Sequence, residues 1–151
     1  MQNSDRPTIK NEAESTWIPR AEQPAARWRQ IGLWSVKLLL AATFIAAGSA
    51  NLYGLPMLVQ NFEQIGLGQW FRYFTGTLEL IGAAALLVPA VASLGALLLA
   101  AIMVGATLTH LFVLPGSPVP AIVLFALSVM VAWAHRDQNA ALASKIPVDR
   151  D

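Results

Sequence analysis

Two side chains that can exchange protons stand inside otherwise apolar stretches of this sequence, Glu79 and His110. From residue 71 to residue 113 the only Asp, Glu, Lys or Arg residues are Arg72 and Glu79. A carboxylate at the centre of a membrane span costs about 2.5–3.5 kcal/mol on insertion scales, so such a group usually faces a partner or a cavity. Glu and His can relay protons or hold the polar head of a ligand, and His110 is the partner we expect for Glu79.

The composition favours a membrane protein over a soluble domain. Hydrophobic residues make up 56% of the 151-residue chain and charged residues 13%, which is about half the charged share of a soluble domain. Between residues 38 and 134 only Glu63, Arg72 and Glu79 carry a formal charge. The absence of cysteine excludes disulfides, thiolate metal sites and dithiol redox chemistry. The net charge of +1 favours no nucleic-acid partner.

The hydropathy pattern predicts an all-α, integral membrane four-helix bundle. Between the first two spans, apolar residues recur at helical spacing from Leu55 to Gln69, with Pro56 at the start and Gly66 near the end. This segment predicts a short amphipathic helix at the membrane surface or across the mouth of the bundle. The predicted spans cover residues 33–53, 71–88, 91–113 and 119–134 of a membrane domain that we place at 31–136.

The two ends of the chain are polar. Residues 1–30 contain three prolines and no sustained apolar period, so we expect a disordered tail there and a second tail at 137–151. No short apolar run with a cleavage site precedes the first span, which we therefore expect to be an uncleaved anchor. Four spans put both tails on one side of the membrane. Of the ten Lys and Arg residues only Arg72 falls on the other side, so both termini are predicted to lie in the cytoplasm of a bacterial cell, beneath the inner membrane.

This orientation brings polar residues from three spans to the outer half of the membrane. Residues three or four apart share a face of a helix, which aligns Arg72 and Thr75 with Glu79, and Thr107 with His110. We expect these faces to form a small polar pocket that opens outward beneath the amphipathic helix. The candidate ligand-binding or proton-relay residues are Asn51, Arg72, Thr75, Glu79, Thr107 and His110.

Other interpretations of these residues remain open. Glu79 could form a hydrogen bond inside the bundle, and His110 could cap a neighbouring carbonyl, with no ligand involved. Two titratable groups are too few for a metal site, which usually has three or four protein ligands. We therefore expect no catalytic residue, no metal and no intrinsic cofactor.

Four segments of the sequence resemble the DoxX-like family of small four-helix membrane proteins, within about residues 36–136. The segments are Phe44–Leu52, Gly76–Gly82, Leu86–Pro89 and Gly105–Leu111. Members of the family often carry Lys where this chain has Asn51. An ion pair between this position and Glu79 is therefore not expected here, although an amide can still form a hydrogen bond with the carboxylate.

The family is named for a small subunit of an archaeal quinol-oxidising, thiosulfate-linked membrane complex, and some relatives look like parts of oxidative-stress complexes. The resemblance implies an accessory subunit of a quinone-linked oxidoreductase that binds a quinone or similar lipophile. Glu79 and His110 would hydrogen-bond the head or pass protons, Asn51 would orient it, and Arg72 would guard the mouth. The bilayer, a redox partner protein or a second copy of the chain are the expected partners.

Two alternatives come from other functional classes. The first is a non-catalytic membrane assembly or interaction protein in which buried Glu79 and His110 fix the register of the helices. The second is a carrier of small solutes or lipids.

Overall fold

The computed structural model describes residues 24–136, and every regular element in this part of the chain is a helix. The all-α fold class is confirmed, and the short helix predicted between the first two spans is present as α2. Residues 1–23 and 137–151, which hold most of the two predicted tails, lie outside the described residues. The helices are α1 Pro24–Tyr53, α2 Pro56–Ile65, α3 Gln69–Leu87, α4 Ala92–Phe112 and α5 Val119–Ala134.

The first helix starts earlier than the hydropathy pattern predicts. It begins at Pro24 rather than near residue 33, so its first turns belong to the segment that we expected to be a tail. Proline fits the first turn of a helix, and Ala25 and Ala26 are good helix formers. The predicted span marks the apolar part of α1, which begins near residue 33, whereas the helix itself begins at Pro24. The chain forms two compact units, with the boundary between Gly32 and Leu33. All candidate site residues belong to the unit that begins at Leu33.

Two of the helices are long and apolar enough to cross a membrane. They are the 27-residue portion Arg27–Tyr53 of α1 and the 21-residue helix α4. Helix α5 is apolar but shorter, at 16 residues. Helix α3 has 19 residues, and its polar and charged side chains, Arg72 and Glu79 among them, lower its apolar character. The four predicted spans are thus supported in part.

Large apolar side chains cover the outer surface of the helices, while several polar and charged side chains are buried. Large apolar side chains point outward, such as Leu39, which is 60% exposed, and Ile81, which is 52% exposed. Soluble monomers rarely expose apolar surface on this scale, whereas polar groups in membrane bundles face the interior. The outer surface therefore suits contact with lipid. The buried polar and charged residues are Lys37, Asn51, Arg72, Glu79, Ser93 and Ser128.

One hydrophobic core joins the four longer helices. Helix α1 contributes Leu40 and Phe44, α3 contributes Leu86, α4 contributes Leu99 and α5 contributes Val131, all essentially inaccessible. Close packing of such side chains is a main source of helix association in lipid, where burial from water gives no driving force between helices.

Glycines bring the backbone of α3 into contact with α1 and with α4. A Cβ atom added to Gly48 of α1 would lie 2.8 Å from the carbonyl oxygen of Gly76 on α3. A Cβ atom added to Gly95 of α4 would lie 2.8 Å from the carbonyl oxygen of Gly82 and 2.7 Å from the backbone nitrogen of Leu86. Small residues allow this close approach. The two contacts fix the register of α3 against both neighbours.

Substitution of Gly95 tests this packing against a matched control on the same helix. We expect Gly95→Ala to lower the free energy of unfolding by about 1–3 kcal/mol, because the added methyl group overlaps the α3 backbone. A methyl group at Gly105 would meet no atom within 4 Å, so Gly105→Ala should be neutral or stabilising by about 0.5–1 kcal/mol. Thermal unfolding in mild detergent measures both. Equal effects of the two substitutions would contradict the proposed contact.

Candidate functional site

A buried hydrogen bond joins α1 and α3 through two of the predicted site residues. Asn51 Nδ2 donates to Glu79 Oε2 over 2.9 Å, and the two residues are 6% and 5% exposed. A Cβ atom added to Gly76 would lie 2.8 Å from Asn51 Cβ, and Glu79 lies one turn after Gly76 on α3, so the pair sits beside the glycine contact. The close approach of the backbones lets the short asparagine side chain reach the carboxylate. The hydrogen bond between the Asn51 amide and the Glu79 carboxylate, which the sequence analysis allowed, is therefore formed.

Arg72 lies on the same face of α3, two turns before Glu79, and it is also buried, at 4% exposed. Its Nη1 donates to the backbone carbonyl oxygen of Asn51, and its Nε donates to Gln69 Oε1 over 2.8 Å. A cation at the C-terminus of a helix also interacts favourably with the helix dipole. The structure therefore places Arg72 as a cap on the end of α1.

The backbone at the end of α1 leaves the Asn51 carbonyl oxygen available for this cap. Gly54 adopts a left-handed conformation with φ of 79°, which is typical of the residue after a helix end. The N–H groups of Gly54 and Leu55 both donate to the carbonyl oxygen of Ala50, over 3.1 and 3.4 Å. A Cβ atom at Gly54 would lie 3.3 Å from Arg72 Nη1, so the glycine also makes room for the guanidinium group.

Gln69, which the sequence analysis did not single out, extends this set of hydrogen bonds to α2. Its Nε2 donates to the carbonyl oxygen of Val59 over 3.2 Å, while its Oε1 accepts from Arg72. A chain of hydrogen bonds thus runs from α2 through Gln69 and Arg72 to Asn51 and Glu79. The sequence could have indicated this contact through the spacing of three residues between Gln69 and Arg72, because residues three apart are neighbours on a helix.

The remaining predicted site residues are not joined to this chain of hydrogen bonds. Thr107 Oγ1 donates to the carbonyl oxygen of Met103 on its own helix over 2.7 Å. His110 Nδ1 is enclosed and has no hydrogen-bond partner among residues 24–136. Thr75 is half-buried on α3, and none of the hydrogen bonds described above includes it.

Helix register explains why His110 and Glu79 are apart. Helices α3 and α4 run antiparallel and are in register near Gly82 and Gly95. Glu79 is three residues from Gly82, whereas His110 is fifteen residues from Gly95. At a rise of 1.5 Å per residue, this difference of twelve residues separates the two levels by roughly 18 Å along the bundle. Within the described part of the chain, no hydrogen bond or ion pair joins these two side chains.

Residues 24–136 also contain no cluster of three or more His, Cys, Asp or Glu residues that could hold a metal ion.

Two acceptor oxygens of the Asn51–Glu79 pair receive no hydrogen bond from the described residues. Asn51 Oδ1 is enclosed and has no donor. The hydrogen bond to Glu79 uses Oε2, and no donor in the described residues reaches Oε1. Buried polar groups are nearly always satisfied, and leaving one unpaired costs about 1–3 kcal/mol. The pair can therefore accept hydrogen bonds from a further group.

Comparison with known proteins identifies the family. The model of the DoxX-like family matches residues 35–134. The chain belongs to the DoxX-like family. No curated protein and no solved structure gives a significant match. The DoxX-like region contains all six predicted site residues as well as Gln69, and it begins within α1 and ends with the last residue of α5.

A double-mutant cycle tests whether Asn51 and Glu79 depend on each other. Asn51→Leu and Glu79→Leu should each destabilise this DoxX-like protein, because each leaves a buried polar partner unsatisfied. The double variant should lose less than the sum of the two, with a coupling free energy of about 0.6–1.7 kcal/mol, the range measured for hydrogen bonds between membrane helices. Thermal unfolding in detergent provides the measurement. Purely additive effects would show that the hydrogen bond does not stabilise the protein.

Proposed function

We propose that this DoxX-like protein is an integral protein of the bacterial inner membrane and that its Asn51–Glu79 pair binds the polar head of a quinone or similar lipophile. The observation that carries the proposal is the enclosed acceptor Asn51 Oδ1, which has no donor among residues 24–136 although it lies beside a buried carboxylate. An ionisable residue inside a membrane bundle usually belongs to a functional site.

In the proposed arrangement α1, α3, α4 and α5 each cross the membrane. The 19 residues of α3 correspond to about 28 Å at 1.5 Å per residue, which approaches the thickness of the hydrocarbon core. Its charged side chains Arg72 and Glu79 are buried, whereas Phe74 and Ile81 are exposed. The lipid-facing side of α3 is therefore apolar even though its sequence is not uniformly so.

The proposed role is that of an accessory subunit in a quinone-linked redox system. Glu79 accepts a hydrogen bond from the bound head and passes protons, and Asn51 orients the head. His110 lies nearer the outer end of α4 and serves proton exchange with that surface. The chain offers no thiol and only two histidines, so a partner protein would supply or remove the electrons.

A second candidate, a non-catalytic assembly protein, is favoured by a different observation. The hydrogen bonds of Gln69, Arg72 and Asn51 connect three helices, which is what a device that fixes helix register requires. The two functions make different predictions for variants of Glu79. An assembly device should lose stability in Glu79→Leu and has no ligand to lose, whereas a ligand site should lose its ligand in Glu79→Gln and remain folded.

Mass spectrometry of co-purifying lipophiles separates these two functions. Protein extracted in mild detergent should carry a defined lipophile, a quinone or a compound of similar polarity. We expect Glu79→Gln to lose at least about nine tenths of it, since a loss of roughly 1.4 kcal/mol in binding is a tenfold change in affinity. Glu63 is an exposed glutamate on α2, so Glu63→Gln is the control and should retain the lipophile. The same mixed lipid content in all three proteins would contradict the ligand site.

The proposed topology can be tested with introduced cysteines, because the chain has none of its own. Ala90 lies in the exposed connection between α3 and α4, and Ser117 lies in the exposed connection between α4 and α5. In spheroplasts, a maleimide that cannot cross membranes should label Ser117→Cys at once and Ala90→Cys only after permeabilisation. The opposite pattern would place both termini outside the cell, and labelling of both positions in intact spheroplasts would exclude the four-span arrangement.

A further inference from the structure

We infer that the Asn51–Glu79 pair selects lipophiles whose polar head donates a hydrogen bond, such as phenols and hydroquinones, over heads that carry only carbonyl or ether oxygens. The inference rests on the proposed function, since it assumes that a lipophile binds there. It adds the direction of the hydrogen bond, and hence the chemical class of the head.

The direction follows from the free hydrogen-bonding capacity of the pair. An asparagine side chain has one acceptor oxygen and two N–H groups, and an ionised glutamate only accepts. One N–H of Asn51 is used by Glu79, while Asn51 Oδ1 and Glu79 Oε1 have no donor in the described part of the chain. Two oxygens of the pair are thus available to accept, and the second N–H of Asn51 is available to donate.

The hydrogen bond to Glu79 also fixes which end of the Asn51 amide is free. Turning the amide by 180° would place Oδ1 against Glu79 Oε2, so that two acceptors would face each other without a proton between them. The existing arrangement therefore keeps Nδ2 toward the carboxylate and leaves Oδ1 for another group. The orientation of Asn51 is a property of the pair and does not require the ligand.

The surroundings of the pair supply no competing donor. The neighbouring glycines Gly48 and Gly76 carry no side chain, and the side chains packed against them include Leu52 and Leu80. The buried guanidinium group of Arg72 already donates to Gln69 and to the backbone of Asn51. With Glu79 ionised, a donor for Asn51 Oδ1 comes from the occupant of the site. A carbonyl head could accept from the second N–H of Asn51, but it would leave both acceptor oxygens unpaired.

A matched pair of probes tests this selectivity without redox chemistry. The probes are 4-decylphenol, which donates a hydrogen bond, and 4-decylanisole, in which a methyl group replaces the donated proton. Binding to the full chain in lipid nanodiscs is measured by titration calorimetry, with protein-free nanodiscs as the control for partition into lipid. We expect the phenol to bind at least about tenfold more tightly, because the ether leaves both acceptors unpaired.

The variant Glu79→Gln provides a folded control for the mechanism. Its carboxamide can accept from Asn51 Nδ2 and donate to Asn51 Oδ1 at once, which satisfies the free acceptor within the protein. The preference for the phenol should then fall to about twofold or less, while thermal unfolding shows that the variant is folded. Glu63→Gln, on the exposed face of α2, should keep the tenfold preference.

The outcomes separate the inference from the proposed function. A phenol preference in the natural protein that disappears in Glu79→Gln supports both. Equal binding of phenol and ether that still depends on Glu79 overturns the inferred direction and leaves the lipophile site in place. Binding of neither probe beyond partition into protein-free nanodiscs overturns both.

Discussion

The contact between Gly48 and Gly76 is the constraint on which the candidate site depends. Asparagine has one of the shortest polar side chains, and it bridges α1 and α3 only where the two backbones touch. The contact sets the position of Asn51 relative to Glu79, because Asn51 Cβ packs against Gly76, one turn before Glu79, and the hydrogen bond between the two side chains measures 2.9 Å. A side chain at either glycine would separate the helices and lengthen that bond.

Asn51 mediates between a buried cation and a buried anion that are not directly paired. Its backbone oxygen accepts from Arg72 and its amide donates to Glu79, so each charged group is hydrogen-bonded to a neutral one. Direct ion pairs in a low-dielectric interior must offset a large loss of hydration. A lysine in place of Asn51 would bring three donors and no acceptor. The acceptor character of the site is therefore specific to the amide.

The sequence predicted the buried face of α3 well and the long-range partners poorly. Spacing of three and four residues placed Arg72, Gly76 and Glu79 on one face, and all three are buried. The partnership of Glu79 with His110 depended on register, which the contact between α3 and α4 fixes and which no local pattern encodes. The capping role of Arg72 likewise depends on the left-handed turn at Gly54, because that turn leaves the Asn51 carbonyl oxygen without a backbone donor.

The site and the insertion of α3 into a bilayer are two aspects of one physical problem. Taken alone, α3 carries a cation and a carboxylate that oppose its transfer to lipid, and its 19 residues are not apolar enough to place it with α1 and α4 among the candidate membrane spans. In the bundle, Asn51 donates a hydrogen bond to the carboxylate and Gln69 accepts one from the guanidinium group, and the outward side chains of α3 are apolar. In the proposed four-span arrangement, the hydrogen bonds that prepare the pair to accept a ligand are therefore the same ones that allow α3 to reside in the membrane. Asn51 uses only one of the two Glu79 oxygens, which leaves the other for the proposed ligand.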